Sequence, residues 1–386
     1  MHTPVIVKTK RTAIAKAGGA LSDVRPEHLA APVLQSLLTD TGIEAKQIDE
    51  VVLGNAVGPG GNLARLALLT AGFPLEIPGV TIDRQCGSGL EAIVYAARFI
   101  QSGAGSIYIA GGVESESFAP LKVEKPTSDH AEPLEFTRAR FAPDGIGDPD
   151  MGIAAENVAR TFGITREMQD DFAWRSHQLA SIAQAKGHFS NEIVPVERTN
   201  GTIFHQDECI RGNDMKKLLA RLKPVFEQQG TVTAGNCCPK NDGAAATLIM
   251  SKEEAQCYGL KPEAIFLDAV TAGVDPNLLG IGPVPAIRKL LIKNRLTMNE
   301  IDLVEFNEAF ASQVIASLHL LDIPLEKVNI SGGAIAFGHP YGASGSIVVT
   351  RLIENMKQTN AQYGIATMGI GGGLGTAVLL RRDPEE

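Results

Sequence analysis

Residues 37–56 read LLTDTGIEAKQIDEVVLGNA, and residues 290–309 read LLIKNRLTMNEIDLVEFNEA. Each leaves an amphipathic helix through a polar loop, reaches Ile-Asp, enters a β-rich apolar strand and closes on Asn and Ala, the Asn positions agreeing within one residue. The next segments of the two copies also correspond. IPGVTIDRQCGSGLEAIVYAARFI (77–100) is a strand, a small-residue turn and a buried helix; KVNISGGAIAFGHPYGASGSIVVTRLIENM (327–356) is the same with a longer turn. Each half then returns to a strand, SIYIAGGVES or YGIATMGIGGG. A chain that writes one β-α-β-α-β unit twice is constrained to two similar α/β halves about a pseudo-twofold axis, with a site between them built from turns of both. Strands rich in Val and Ile alternating with helices predict mostly parallel pairing.

The stretch between the copies departs from this pattern. APLKVEKPTSDHAEPLEFTRARFAPDGIGDPD has no strong period and reads as an excursion with small local elements, followed by a helix N-capped by Thr165 in TREMQDDFAWRSHQLASIAQAKGHF. The expected organisation is an N-terminal core half over 1–116, completed by about 240–262, an inserted loop domain over 117–250, and a C-terminal core domain over 263–386. The 386 residues suit two or three packed units, on a scale of roughly 100–200 residues each. A net charge of −9 argues against nucleic acid, so an anionic ligand needs a local basic patch. No apolar run approaches the roughly 18–20 residues of a membrane span, and the N-terminal stretch reads as a strand and turn rather than a signal peptide. The five cysteines are irregularly spaced without a CxxC pair, and the eight histidines form no ligand pattern. These features predict a reducing, cytoplasmic setting, no disulfide framework and no structural metal.

Three residues can carry chemistry. Cys86 sits in DRQCGSGLEAI between a strand and a helix, where the helix dipole and free amides favour thiolate; a small buried cysteine filling a tight turn is the alternative. His339 lies in GGAIAFGHPYGASG, a glycine-rich loop stiffened by Pro340 that aims an imidazole or is simply structural. Asn307, in EFNEAFA, ends a strand and either caps the next helix or faces the site. All three stand at strand ends or turns of the duplicated unit, which fits a Cys-His-Asn acyl-transfer site. The turn TMGIGGGLGT then supplies bare backbone amides for a developing oxyanion; a tight hairpin or a phosphate cradle is the alternative, and no Lys-Ser/Thr comes after it as a P-loop requires.

With these motifs in place, the chain resembles the thiolases across nearly its whole length. The matching stretches are CGSGLEAI (86–93), MGIAAENVA (151–159), EIVPV (192–196), GTVTAGN (230–236), NDGAAA (241–246), NEAFA (307–311), GGAIAFGHPYGASG (332–345) and GIGGGLG (369–375). The resemblance implies a thiolase fold: two duplicated α-β-α core domains with an inserted loop domain, in at least a homodimer or a dimer of dimers. It implies acyl-CoA and CoA as substrates and no separate cofactor. By the same resemblance Cys86 takes the acyl group, and His339 activates it and, with a water held by Asn307, binds the thioester oxygen. The amides of Cys86 and Gly371 form the oxyanion hole of the acyl-cysteine. Arg211 contacts the CoA nucleotide; Lys216 and Lys217 belong to RGNDMKKLLARLK (211–223), whose five basic residues and one acid supply the local basic patch, an ordinary solvated amphipathic helix being the alternative, and Cys238 lies by the pantetheine arm.

Two departures from the family pattern stand out. Its last turn is Cys-x-Gly-Gly-Gly, and Gly369 replaces that cysteine, the acid/base of condensation and thiolysis. Its GNASGxND is GNCCPKND here, with Cys237 and Cys238 in place of Ala and Ser. Glycine moves no proton, and such a group contributes roughly 10²–10⁴-fold. Ordinary thiolase turnover is therefore expected to be impaired unless Cys238 partly substitutes. Decarboxylative condensation, acyl-CoA hydrolysis by Cys86, His339 and Asn307, and CoA binding without catalysis are the alternatives.

Overall fold

The computed structural model describes residues 2–126, 128, 132–212 and 215–382. The first half runs β1 (Pro4–Thr12), α1 (Pro26–Thr41), β2 (Glu50–Gly54), α2 (Leu63–Thr70), β3 (Gly79–Ile82), α3 (Ser88–Ser102) and β4 (Ile107–Ser115). Helix α1 starts on Pro26, whose missing N–H costs nothing in a first turn, and stops at Gly42, whose φ of 71° a side chain would resist. An excursion comes next. It contains the small antiparallel pair Lys122–Glu124 with Leu134–Phe136, then α4 (Met151–Phe162) and α5 (Arg166–Ala185). The Thr165 side chain accepts from the Met168 amide at the start of α5, as its sequence predicts. The chain re-enters the core as β5 (Asn241–Ser251). The second half runs β6 (Ala264–Gly273), α6 (Pro283–Asn294), β7 (Leu303–Phe306), α7 (Ala311–Leu321), α8 (Tyr341–Thr359), β8 (Tyr363–Ile370) and β9 (Leu374–Arg381).

The strands form one sheet in the order β7-β8-β9-β6-β1-β5-β4-β2-β3, joined at its centre by antiparallel pairing of Val5 with Ile265 and Ile6 with Ala264. Outward from that seam, the halves match. β1-β5-β4-β2-β3 corresponds to β6-β9-β8-β7, and a parallel bridge from Val304 to Val328 stands where the second half lacks its last strand. The duplication is thus present in four of the five strand positions. The predicted pairing is not: β1/β5, β5/β4, β6/β9 and β9/β8 are antiparallel, and only β4/β2, β2/β3 and β8/β7 are parallel. In the second half β8 joins β9 with no crossover helix to turn the chain round, and in the first half β4 reaches β5 only after the whole excursion. The glycine turn between β8 and β9 makes this plain, since a short turn can only join antiparallel strands.

Alternation along the strands sorts the helices into layers. Val51 and Leu53 of β2 face α1 and α2, whereas Val52 faces α3. Helices α3 and α8 share the middle layer, covered on one side by Val52, Tyr108 and Ile249 and on the other by Ala366, Met368 and Val378. Their first turns cross closely. A Cβ at Gly89 would lie 2.6 Å from Gly342 O, and one at Gly345 2.1 Å from Leu90 N, so only bare backbone fits.

Buried charge braces this arrangement. Arg11 of β1 pairs with Glu192 (2.7 Å) and Asp207 (2.8 Å) of the excursion, and Arg351 of α8 also pairs with Glu192. Glu305 of β7 accepts from Asn355 Nδ2 at 2.5 Å. Burial pushes the Glu305 carboxyl up to about 8, with Arg351 and the Asn355 amide pulling it back. A carboxyl harder to ionise in the fold than in the open chain, where 4.5 is ordinary, gives stability that is complete below that value and lost as pH rises through about 8. Glu305→Gln should therefore flatten the loss of denaturation midpoint between about pH 5 and pH 8 relative to the native chain. Parallel curves for the two proteins would show that Glu305 ionises normally.

Candidate active site

β3 feeds a tight turn that ends two residues before α3 with Cys86 at its tip. The Arg84 amide donates to Ser88 Oγ at 2.8 Å, the Ser88 hydroxyl to Gln85 O at 2.6 Å, and the Gly87 amide to Arg84 O at 3.0 Å. Gln85 holds φ of 49°, a left-handed conformation steadied by its amide donating to Asp83 Oδ1. A Cβ at Gly87 would lie 2.4 Å from Ile370 Cδ1, so the bare residue lets the end of β8 close on this turn. That closure brings the Gly371 amide to the Cys86 sulfur, beside the amide of Cys86 itself. The two amides predicted to form an oxyanion hole thus converge on one sulfur. Gly372 and Gly373, at φ of 84° and 80°, hold the hairpin that aims them.

The thiol is not the stabilised thiolate that its place before a helix predicts. Cys86 keeps some exposed surface but lies deep among neighbouring atoms, and burial pushes it up to about 12. Glu114 and Asp83 push in the same direction, and the two amides only partly offset them. Burial wins because the charge would sit in low dielectric with buried Glu114 nearby.

His339 also stands two residues before its helix, α8, the counterpart of α3. Its amide donates to Asn241 Oδ1 at 2.9 Å, and its ring meets Tyr341 edge-on. Nδ1 lies 2.6 Å from Ser344 Oγ, and the single Ser344 hydroxyl proton points to Pro340 O at 3.0 Å. Nδ1–H must then be the donor, which leaves Nε2 as the acceptor. Asn307 Nδ2 lies 3.4 Å from that Nε2, donating to it. Burial pushes His339 down to about 3, so the imidazole is neutral and free to accept a proton. A closed cavity large enough for one water, lined by Asn307, Ser344, Glu305 and Arg351, lies behind this pair.

Several participants carry no advance sequence signal. Glu114 accepts from Asn55 Nδ2 and from the amides of Ala56, Val57 and Gly342, tying the loop after β2 to the first turn of α8. Burial nevertheless pushes its carboxyl up to about 7. Glu308 accepts from Ser176, Asn329 and the Ile335 amide, and fastens the excursion to the His339 loop. Ser344 is legible in the sequence only as one more small residue of a glycine-rich loop.

The remaining predicted residues are spread around this centre. The Cys238 amide donates to Ala309 O, alongside the segment that carries Asn307, and its thiol feels the charge of Cys86. Burial pushes that thiol well up, so it holds its proton at neutral pH and is no ready base. Arg211 is exposed and its amide donates to His177 Nδ1. Lys216 lies over the Trp174 ring and 3.7 Å from Asp171, whereas Lys217 is exposed. Among the described residues of 211–223 a helix spans Met215–Leu219, and it stops there because Arg166 takes the carbonyls of Leu219 and Leu222 and Pro224 disfavours a helical residue before it. Asp214 of that stretch lies outside the described residues. Among the described residues no His, Cys, Asp or Glu cluster could hold a metal ion, and no helix is long and apolar enough to cross a membrane.

A duplicated α-β-α core with a cysteine turn, a histidine turn and a glycine hairpin meeting at one end defines a class. The Thiolase, N-terminal domain model matches residues 4–253 and the Thiolase, C-terminal domain model residues 260–382, and the chain belongs to the thiolase family. Among relatives, VraB of Staphylococcus epidermidis, provisionally named an acetyl-CoA C-acetyltransferase, is 52% identical over 384 residues, 99% of both chains. Its Staphylococcus aureus namesake is 51% identical over 99% of this chain and 100% of that protein. The crystal structure of the Bacillus anthracis acetyl-CoA acetyltransferase superposes with a TM-score of 0.92 at 40% identity, covering 99% of each chain.

Exposed Cys257 should react with iodoacetamide ahead of Cys86, the reverse of the order a helix-terminal thiolate predicts. The Cys86 rate should keep climbing, about tenfold per pH unit, beyond about pH 9. A plateau near pH 8 in peptide-resolved alkylation would mean that the helix dipole outweighs burial.

Proposed function

We propose that this thiolase is an acyl-CoA acyltransferase that works through an acyl-Cys86 thioester, moving acetyl or longer acyl groups between CoA thioesters. The observation that carries this reading is the convergence of the Cys86 and Gly371 amides on the Cys86 sulfur. Aligned amides in a dry site stabilise the oxyanion that forms when acyl-Cys86 is made or broken. The neutral His339 with Nε2 free to accept is the group for the thiol proton, and Asn307 holds the imidazole in that state. The acetyltransferase names of the relatives support the same substrate class. Arg211, Lys216, Lys217 and Cys238 are assigned to CoA, which is a substrate and not a resident cofactor. The open edge of β3, half-exposed along its length, suits pairing with a second copy in a homodimer or a dimer of dimers.

A second reading rests on position 369. With glycine there, α-proton removal lacks its thiol, so reactions that need no such base gain ground: decarboxylative condensation, in which loss of CO₂ generates the enolate, or hydrolysis of the acyl-enzyme. Release of CO₂ from a 3-carboxyacyl-CoA would select the first.

Incubation with acetyl-CoA should add an acyl mass to the Cys86 peptide and to no other, and Cys86→Ser should lose it. No adduct with any chain length would leave CoA binding alone. Thiolysis of a 3-ketoacyl-CoA should be slow, and Gly369→Cys should raise it about 10²-fold or more. An unchanged rate would mean that thiolysis is not limited by the missing thiol.

A further inference from the structure

The space that a side chain at position 369 would fill is already taken. A Cβ at Gly369 would lie 2.2 Å from Gln313 Nε2, 3.3 Å from its Cδ and 3.4 Å from Leu279 O. Gln313 reaches there from α7, with its Cβ and Cγ against Gly280. The residue is 2% exposed, yet neither Nε2 nor Oε1 has a hydrogen-bond partner among the described residues. A buried primary amide with every donor and acceptor open is an unstable arrangement unless something completes it. Other buried polar side chains of the second half are, by contrast, satisfied. Asn307, Glu308, Ser312 and Asn329 all have partners.

The amide also lies in a telling place. Gly369 is the next-to-last residue of β8 and Gly371 the first residue of the hairpin turn, so their backbones lie within about 7 Å. Gly371 places its amide on the Cys86 sulfur. The open amide therefore abuts the residue two positions before the amide that meets the acyl-accepting sulfur. A group that completes it must offer a donor to Oε1 and an acceptor to Nε2. A protic nucleophile, either a thiol or water, offers both on one atom.

We propose that Gln313 is a further catalytic residue of this site, whose amide binds and orients the protic nucleophile that discharges acyl-Cys86. The proposal rests on the acyl-Cys86 reading. The amide holds the nucleophile and takes no proton from it. In thiol transfer the CoA thiol loses its proton to solvent, and its sulfur attacks the acyl carbon. The new C–S bond forms while the oxyanion rests on the Cys86 and Gly371 amides. The bond to Cys86 Sγ then breaks, and the departing Cys86 thiolate takes a proton back from solvent, balancing the one the CoA thiol gave up. In hydrolysis the water oxygen forms the new bond, its proton passes to His339 Nε2, and the products are a carboxylic acid and the Cys86 thiol.

The consequence is a distinctive pH dependence. With no base at position 369, discharge by CoA must track the thiolate fraction of CoA itself. The other titratable groups facing this site are Cys86, Cys238, His339, Asp83, Glu114 and Glu308. They are common to the native chain and to variants at 313, so the comparison between variants isolates the amide.

The test is single-turnover discharge of Cys86 acylated in advance by acetyl-CoA, tracked by peptide mass, with one arm given CoA and one given buffer alone. In the native chain the CoA arm should quicken about tenfold per pH unit between about pH 6 and pH 8. Gln313→Leu should slow the arm served by the amide by about tenfold or more at every pH and leave the slope unchanged. If thiol is the nucleophile the CoA arm falls; if water is, the buffer arm falls. Gln313→Glu, which puts a carboxylate base in the same place, should flatten the slope and raise the rate near pH 6. Gly369→Ala tests the same point without touching residue 313, since its methyl group displaces the amide, and it should reproduce the Gln313→Leu loss. Acyl stoichiometry on Cys86 in each variant reports that the site is folded. Native discharge rates in both arms for Gln313→Leu and Gly369→Ala, with Cys86 fully acylated, would overturn the inference and leave acyl transfer standing. Absence of any acyl-Cys86 in the native chain would overturn both.

Discussion

One buried cluster of charge fixes how the parts of this molecule meet. Arg11, Glu192, Asp207 and Arg351 are nearly or fully excluded from solvent. The Phe189 ring lies against both guanidinium groups, 5.5 Å from Arg11 and 4.5 Å from Arg351. The four charges come from three sources: β1 of the first half, the excursion, and α8 of the second half. No subset is satisfied without the others. Removing one member of such a cluster typically costs about 3–5 kcal/mol, because the partner is left charged in a dry interior. Hydrophobic packing alone tolerates sliding of one layer over another; a cluster of this kind does not. The helix it pins is the one whose first turn positions His339, so the placement of the imidazole depends on charge pairs well behind it.

The same exclusion of water sets the chemistry. Cys86 is pushed up and His339 is pushed down, so at neutral pH the site holds a neutral thiol and a neutral imidazole. A resting ion pair would need charge separation in low dielectric. The proton instead moves as the sulfur attacks, when the negative charge is passing to an oxygen that two amides already face. Those amides need no reorganisation, because Gly371 is held by a hairpin and the Cys86 amide by the Ser88 hydroxyl turn. Burial of Glu114 serves the same end. Three of its four donors come from the loop after β2 and one from the first turn of α8, so the carboxyl is worth more as a tie between the two halves than as a charge.

Much of this is readable in the linear sequence, for identifiable reasons. The repeat is visible because both copies need the same Ile-Asp turn and the same apolar strand. Cys86, His339, Asn307 and the glycine turn are visible because unusual residues stand where a strand ends. Strand direction is misleading, because apolar runs show burial and not polarity. Only the shortness of the turn between β8 and β9 betrays the antiparallel return. Glu114 and Gln313 are invisible for a different reason. Each is one polar letter inside an apolar element, and its role depends on partners far away in sequence. Gln313 in particular matters only because residue 369 has no side chain, a relation that neither position shows alone.

The duplication also explains why the site is lopsided. Cys86 and His339 occupy equivalent places, each two residues before the helix of its own half, and those helices cross at their glycine-lined first turns. The strands after those helices, β4 and β8, are equivalent too, and each turns back into an antiparallel neighbour. In the second half that turn is three glycines, short enough to put a backbone amide on the sulfur. In the first half the same connection has grown into the whole excursion, residues 116–240. One turn had to stay small to reach the nucleophile; its twin, free of that demand, could lengthen into a lobe that covers the site. Phe141 of that lobe lies 2.7 Å from where a Gly371 Cβ would be, so the grown turn comes back to rest on the short one. A side chain at 371 would force the two apart, and the hairpin stays bare because its own counterpart is packed against it.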